Sequence, residues 1–385
     1  MSQWDLSGHL DALKQVHLYR SRETIEGPQG SQVQLNGKSF DNFSSNDYLG
    51  LANHPDVIKA FTTAAEKYGV GAGSAHLICG HSYEHHALEE ELAGFTGRQR
   101  ALVFSTGYMA NLGVISTLVQ KGDAVFQDKL NHASLIDGGL ISGANFRRYP
   151  HNGLDRLQQL VEKSNYDKKL IVTDGVFSMD GDEAKIIELA SLAAQSKSML
   201  MVDDAHGLGV LGDNGGGLLE KHGLGEKQVP VLMATLGKSL GTAGAFIAGS
   251  DALIETLIQR ARTYIYTTAM PPAVMAATRV SLKLCQQECW RREKLVSLVA
   301  QFRRGAGQLG LNLLPSETPI QAVILGTNEA VIKANVQLRE KGMLVGAIRH
   351  PTVPKGSERL RITFSATHTE SQVTAMLQAL ESVVT

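Results

Sequence analysis

The stretch MLMVDDAHGLGVLG, residues 199–212, begins as an apolar, strand-like run and stops on two adjacent carboxylates and a histidine. A carboxylate leaving a buried strand is costly unless a cation or a hydrogen-bond donor meets it. Side chains alternate along a strand, so Asp203 and Asp204 face opposite ways and only one of them can serve a site on a given face. A helix cap, a metal ligand and a cofactor partner are all readings that these residue types allow. The run is one of a series. ALVFST from 101, DAVFQD from 123, FRRY from 146, LIVTDG from 170, VLMATL from 231 and GAFIAG from 244 are similar short, β-rich runs. Helix-like segments lie between most of them, such as 108–121 and 183–197. In the second, Ile186, Leu189, Ala190, Ala193 and Ala194 form one apolar stripe. Strands alternating with helices predict an α/β fold: a large domain with a mostly parallel seven-stranded sheet between helices. Several runs end in polar residues, namely Ser105–Thr106, Gln127–Asp128, Asp174, Asp203–Asp204 and Thr235. Ligands of open α/β sheets bind outside the carboxyl ends of the strands, so these groups are expected to form one site.

The pattern changes near Arg279. A long helical stretch is expected to about Leu309, followed by a smaller α/β unit containing 320–326, 330–342, 359–366 and a last helix from Glu370. The expected division is an N-terminal segment 1–45, a large domain 46–278, and a long helix with a small C-terminal domain 279–385. The chain has 385 residues, 43% hydrophobic, enough for more than one packing unit. A formal net charge of −1 gives no reason to expect a nucleic-acid or membrane partner. Three cysteines, Cys79, Cys285 and Cys289, are too few for a disulfide scaffold. Cys285 and Cys289 could share a helix face, but no second ligand pair accompanies them, and no metal site is expected. The N-terminus is polar and no apolar run approaches ~20 residues, so a cytoplasmic protein is expected.

TLGKSLGTAG, residues 235–244, places a lysine among glycines at the end of an apolar run. Lysine ordinarily keeps its ammonium in water. Lys238 is therefore either a solvent-facing turn residue or an amine that must be deprotonated and reach a small molecule. Asp203 ends another strand 35 residues earlier. A carboxylate aimed at a protonated ring nitrogen, with a lysine that forms a Schiff base, marks pyridoxal phosphate chemistry. STGYMANLGV (105–114) offers a phosphate cradle, because a helix starting after Gly107 presents unsatisfied N–H groups. Two nucleotide-binding readings fail. A P-loop ending in Gly-Lys-Ser needs a glycine at 232, which is leucine, and the glycines of 69–80 follow a helix-like segment rather than a strand. His132, in NHAS, could stack on a flat ring or be structural.

Taken together, FSSNDYLGL (43–51), GAGSAHLICGHSYEHHALEEELA, NHASLIDG, TDGVFSMDGD, VDDAHGLGVLG, TLGKSLG, YTTAMPP and RLRITFSATHT (359–369) cover nearly the whole chain. In them the sequence resembles the α-oxoamine synthase family of fold-type I pyridoxal phosphate enzymes, and within it the biotin-pathway branch. The resemblance implies an aminotransferase-like fold and pyridoxal 5'-phosphate as cofactor. It implies a decarboxylative condensation of L-alanine with pimeloyl-CoA or a pimeloyl carrier protein. It makes Lys238 the Schiff-base lysine, Asp203 the partner of the ring nitrogen, His206 a partner of the ring hydroxyl and His132 the stacking residue. Ser178 is expected near the ring hydroxyl. Gly107, Tyr108 and Thr235 would hold the phosphate, and Thr267 and Thr268 would reach it from the second subunit of a homodimer with shared active sites. Arg361 would hold the amino acid carboxylate, Asn46 would lie at the substrate entrance, and Arg20 would approach the acyl chain. His81, Ser239 and His350 depart from the family's usual residues. Two alternatives stand beside this reading: a glycine-using relative such as 2-amino-3-ketobutyrate CoA ligase, and a non-catalytic cofactor-binding protein on the same fold.

Overall fold

The computed structural model describes residues 4–15 and 18–384. Its strands are β1 (Gln32–Leu35), β2 (Lys38–Phe43), β3 (Arg100–Phe104), β4 (Ala124–Asp128), β5 (Asn145–Tyr149), β6 (Lys169–Asp174), β7 (Met199–Asp203), β8 (Val231–Thr235), β9 (Ala245–Gly249), β10 (Ile320–Ile324), β11 (Met343–Ile348) and β12 (Arg359–Thr363). The seven runs read from the sequence form one sheet in the order β3-β9-β8-β7-β6-β4-β5. Its neighbours are parallel except β9, which runs against both β3 and β8. This is the expected mostly parallel sheet. Alternate residues feed opposite cores: Leu170, Val172 and Met201 pack on one face, and Ile171, Leu200 and Val202 on the other. Helices cover both faces, so the carboxyl ends of β3, β4, β6, β7 and β8 emerge along one edge.

The second sheet, in the order β1-β2-β11-β12-β10, changes the expected division of the chain. The 1–45 segment does not stand apart, because its hairpin of β1 and β2 joins this C-terminal sheet through the parallel β2–β11 pair. The reason is apolar alternation: Val33, Leu35 and Phe43 are buried between polar neighbours. Nor does a boundary fall at 279, which lies inside the helix Pro272–Gln287. That helix starts at a proline suited to its first turn. It ends at Glu288, whose φ of −103° and ψ of 62° leave the helical region, and Trp290–Gln308 begins anew. The break separates the cysteines: Cys285 is buried on the first helix and Cys289 is exposed at the junction. The two lobes share one hydrophobic cluster, in which Ala234, Leu236 and Phe246 of the large sheet's side pack with Leu298, Phe302, Leu360 and Phe364. No helix among the described residues is long and apolar enough to cross a membrane.

Candidate active site

The carboxyl-end edge of the large sheet encloses a cavity of about 190 Å³ lined by Gly107, Tyr108, His132, Ser178, Asp203, His206, Thr235 and Lys238, together with Asn111, Ser134, Asp174, Ala205 and Met233. Parallel strands achieve this. Each ends in a turn that points the same way, so residues more than 130 positions apart meet over a single edge.

The two carboxylates divide as strand alternation requires. Asp203 faces the cavity, where Asn111 Nδ2 donates to its Oδ2 at 2.7 Å and the Ala205 N–H donates to Oδ1 at 3.1 Å. Asp204 turns into the core and accepts the Leu218 N–H at 2.6 Å. A Cβ on Gly207 or Gly217 would come within 2.0 Å of the Asp204 carboxylate, so glycines make room for it. Burial pushes Asp204 well above the usual carboxylate range, which suits a proton-bearing structural cap rather than a partner for a charged ring. Asp174 sits beside Asp203 in the β6–β7 register. Burial, with the neighbouring Asp203 charge, pushes it up as well, and its Oδ2 accepts the His132 N–H at 2.7 Å.

Lys238 follows β8 in a turn stripped of side chains. Gly241 has φ +64°, and a Cβ there would lie 2.3 Å from the Ala52 nitrogen, so the lysine turn packs backbone to backbone against the turn that follows Tyr48. Burial pulls the Lys238 ammonium below its ordinary range, while Asp203 and Asp174 oppose that pull. Lys238 is half-buried and lines the cavity.

His132 has two jobs. It caps the helix Ala133–Ile141, its Nδ1 accepting the Ser134 N–H at 3.2 Å, and its ring lines the cavity. The Ser134 hydroxyl lies 2.7 Å from the same Nδ1 and accepts from Asn111 at 2.9 Å. Asn111 thus ties the Asp203 carboxylate to the histidine cap. Burial lowers the His132 pKa, and burial with the Lys238 charge lowers His206 well below its usual range. Gly107 opens the helix Gly107–Leu118, which Thr106 caps by accepting the Met109 N–H at 3.1 Å. A Cβ on Gly107 would meet Met233 Cε at 2.8 Å and Thr235 Cγ2 at 2.9 Å, so glycine keeps this N-terminus against β8. Tyr108 donates its hydroxyl to Asp137.

Arg361, on β12 of the other sheet, is buried and reaches the same region. Its Nε donates to the Ser178 carbonyl at 2.6 Å and its Nη2 to Asn46 Oδ1 at 3.2 Å. His132 and Ser178 also line a second, wider cleft of about 910 Å³ with Lys129, Arg148, Phe177, His350, Thr352 and Arg359. His350 therefore stands beside the site, and Ser239 is buried within the lysine turn.

Arg20 is exposed, borders a surface cleft made by residues 19–24 and lines neither the cavity nor the wider cleft. Thr267 and Thr268 lie after the helix Arg262–Ile265, where Thr268 bridges Ala75, and neither lines its own chain's cavity. Asp174 lines the cavity as its place at a strand end led one to expect, whereas Asn111 and Ser134 carry no signal in the sequence.

The arrangement fits pyridoxal phosphate. It offers an amine lining the cavity, a hydrogen-bonded carboxylate, an imidazole on the cavity wall and a helix N-terminus for a phosphate.

Known proteins agree. Residues 39–380 match the family described as Aminotransferase class I and II. The 8-amino-7-oxononanoate synthases of Cellvibrio japonicus and Saccharophagus degradans are 57% and 56% identical, covering 98% and 99% of this chain and 95% and 96% of theirs. Among solved structures, Sphingomonas wittichii serine palmitoyltransferase superposes with TM-score 0.94 at 32% identity over 99% of this chain and 97% of that one. The 8-amino-7-oxononanoate synthase of Francisella tularensis superposes with TM-score 0.79 at 33% identity over 89% and 97%. With a family match over most of its length and relatives this similar from end to end, the chain belongs to the pyridoxal phosphate-dependent class I and II aminotransferase family, in its 8-amino-7-oxononanoate synthase branch.

Proposed function

We propose that this enzyme condenses L-alanine with a pimeloyl thioester and releases CO₂, giving 8-amino-7-oxononanoate for biotin synthesis in the cytoplasm. The observation that carries the reading is the meeting of Lys238 and Asp203 in one cavity, with Arg361 holding the carbonyl of its Ser178 wall, a wall it shares with a much wider cleft. Bound pyridoxal phosphate supplies an electron sink for the charge left when the amino acid loses its α-proton. Lys238 would anchor the cofactor and is the amine placed to move that proton; burial lowers its pKa, which favours the neutral form. Asp203 would keep a proton on the ring nitrogen, its carboxylate aimed by Asn111 and the Ala205 N–H. His132 would support the ring face, His206 and Ser178 would serve its hydroxyl, and Gly107, Tyr108 and Thr235 would hold the phosphate.

Arg361 holds the amino acid carboxylate as a planar guanidinium suits, with Asn46 beside it. The wide cleft takes the acyl thioester. Its apolar wall at Phe177 and Val353 suits the methylene chain, and its basic rim at Lys129 and Arg148 suits a phosphate-bearing carrier, whether CoA or carrier protein. Thr267 and Thr268 reach the phosphate of a second subunit. In support, Val70, Ile78, Tyr83 and Tyr266 expose large apolar surfaces in the same two segments of the chain. The test is condensation measured by CO₂ and thiol release with alanine or glycine against pimeloyl-CoA or acetyl-CoA. Turnover with alanine and pimeloyl-CoA is expected. Turnover only with glycine and the short thioester would assign a sister reaction instead.

A further inference from the structure

Tyr48 is fully buried, yet its hydroxyl stands at the junction of three functional side chains. It lies 2.6 Å from His206 Nδ1 and 3.2 Å from Asn46 Oδ1. Arg361 Nη2 donates to the same Asn46 oxygen at 3.2 Å. The turn that carries Tyr48 is pinned on all sides. The Ala366 N–H donates to the Tyr48 carbonyl at 2.7 Å, Ser365 Oγ donates to the Asp47 carbonyl at 2.7 Å, and the Asp47 carboxylate accepts the Leu51 and Ala52 N–H groups at 2.8 and 3.0 Å. The hydroxyl is thus placed by the fold.

We propose that Tyr48 is a positioning residue that donates its proton to His206 Nδ1, so that His206 carries its own hydrogen on Nε2 and presents it to the cavity. The geometry decides the direction. A separation of 2.6 Å is normal for an O–H donor and short for an imidazole N–H donor. The competing acceptor, Asn46 Oδ1, is farther away and already takes a proton from Arg361. A tyrosine has one proton to give, so the shorter contact takes it. Burial also pushes the Tyr48 phenol up to about 12, which keeps that proton in place at physiological pH. His206 is held neutral by burial, so only one of its nitrogens bears hydrogen. Its ring lines the cavity, and Nε2 has no protein partner among the described residues. Nε2–H is therefore the donor offered to whatever oxygen the cavity binds.

The same oxygen network links the amino acid arm to the ring arm. Arg361 touches Asn46, Asn46 touches Tyr48, and Tyr48 touches His206, so a carboxylate drawn to Arg361 and an oxygen held by His206 are registered by one rigid turn. This rests on the proposed use of the cavity, but the tautomer itself does not. The test is therefore in two parts. The first is nitrogen-15 NMR of the histidines in the full-length, cofactor-free protein, with His206 assigned from the His206→Gln spectrum. The wild type is expected to show the Nε2–H tautomer, and an Nδ1–H tautomer would overturn the proposal without any Tyr48 variant. The second uses Tyr48→Phe, which keeps the ring and its packing. Its His206 signals are expected to move toward a mixture of tautomers. After loading with pyridoxal phosphate, its affinity for the cofactor is expected to fall by about 3- to 10-fold, with a changed visible spectrum across pH. An unchanged tautomer, spectrum and affinity in a folded Tyr48→Phe protein would overturn the role.

Discussion

Arg361 illustrates how a single side chain serves two purposes. Its Nε donates to the Ser178 carbonyl, and its Nη2 donates to Asn46 Oδ1 at the proposed substrate entrance. A lysine keeps the charge but not the fork. Arg361→Lys is expected to raise KM for alanine by about 10- to 100-fold, the worth of a charged hydrogen-bond pair, with a smaller change in kcat. Steady-state kinetics at fixed pimeloyl thioester measures it. Gly241 is the other residue whose identity the geometry dictates. With φ +64° and only 2.3 Å from a would-be Cβ to the Ala52 nitrogen, Gly241→Ala has to separate two turns. A loss of about 1–3 kcal/mol in stability is expected, seen as an earlier denaturation midpoint, together with weaker cofactor binding because the lysine turn shifts.

Between elements, His151 is the clearest cross-brace. Its Nδ1 lies 3.2 Å from the buried Asp128 at the end of β4, and its Nε2 lies 2.8 Å from Asp182 after β6. Hydrogen bonds to these two carboxylates outweigh burial and raise its pKa to about 10 from an ordinary 6.5. A raised histidine pKa stabilises the fold fully below the unfolded value near 6.5, and that contribution is lost as pH rises through about 10. The wild type is therefore expected to lose stability toward pH 10. His151→Ala should be less stable by about 1–3 kcal/mol at neutral pH, since the buried Asp128 keeps only the backbone N–H groups of Leu130 and Asn152 and loses its cation, and should show a flatter dependence over that window. Denaturation midpoints from pH 6 to 10 check both.

The same elements show what was readable beforehand. All seven strands of the large sheet were readable: most are apolar runs buried on both faces, and β5, NFRRY at the sheet's edge with Arg147 and Arg148 exposed, stood out by its short β-rich pattern. β1 and β2 did not, since QVQL and KSFDNF alternate polar with apolar over four to six residues and pair with a strand some 300 positions later. β11 was hidden between a helix end and the loop at His350. Within the site, Lys238, Asp203 and His132 stood out as chemically odd at strand ends. Asn111, Ser134 and Tyr48 did not, because their roles exist only through contacts across the fold, such as the 92 positions from Asn111 to Asp203 and the 158 from Tyr48 to His206.

For the molecule as a whole, the two lobes share one core, and both meet at the site: the large sheet brings Lys238 and Asp203, and Arg361 of the second sheet holds the Ser178 carbonyl on the cavity wall. The proposed dimer adds a further layer. Ile78 is 78% exposed and Tyr266 71%, close in the chain to Thr268 and its bridge to Ala75. Burying such side chains favours association by roughly 1.5–3 kcal/mol each. Ile78→Asp with Tyr266→Ser is expected to give monomers in sedimentation and to lose activity in parallel, since the threonines would no longer reach a second cavity. An active monomer would contradict the shared site.

The proposed chemistry depends on Lys238 being the residue that would hold the cofactor. Borohydride reduction of the pyridoxal phosphate-loaded enzyme, followed by digestion and peptide mass spectrometry, locates the covalent bond. The label is expected on the peptide containing Lys238 in the wild type, and Lys238→Ala should carry no specific label and no measurable condensation activity. A label on any other lysine, or full activity in Lys238→Ala, would contradict it.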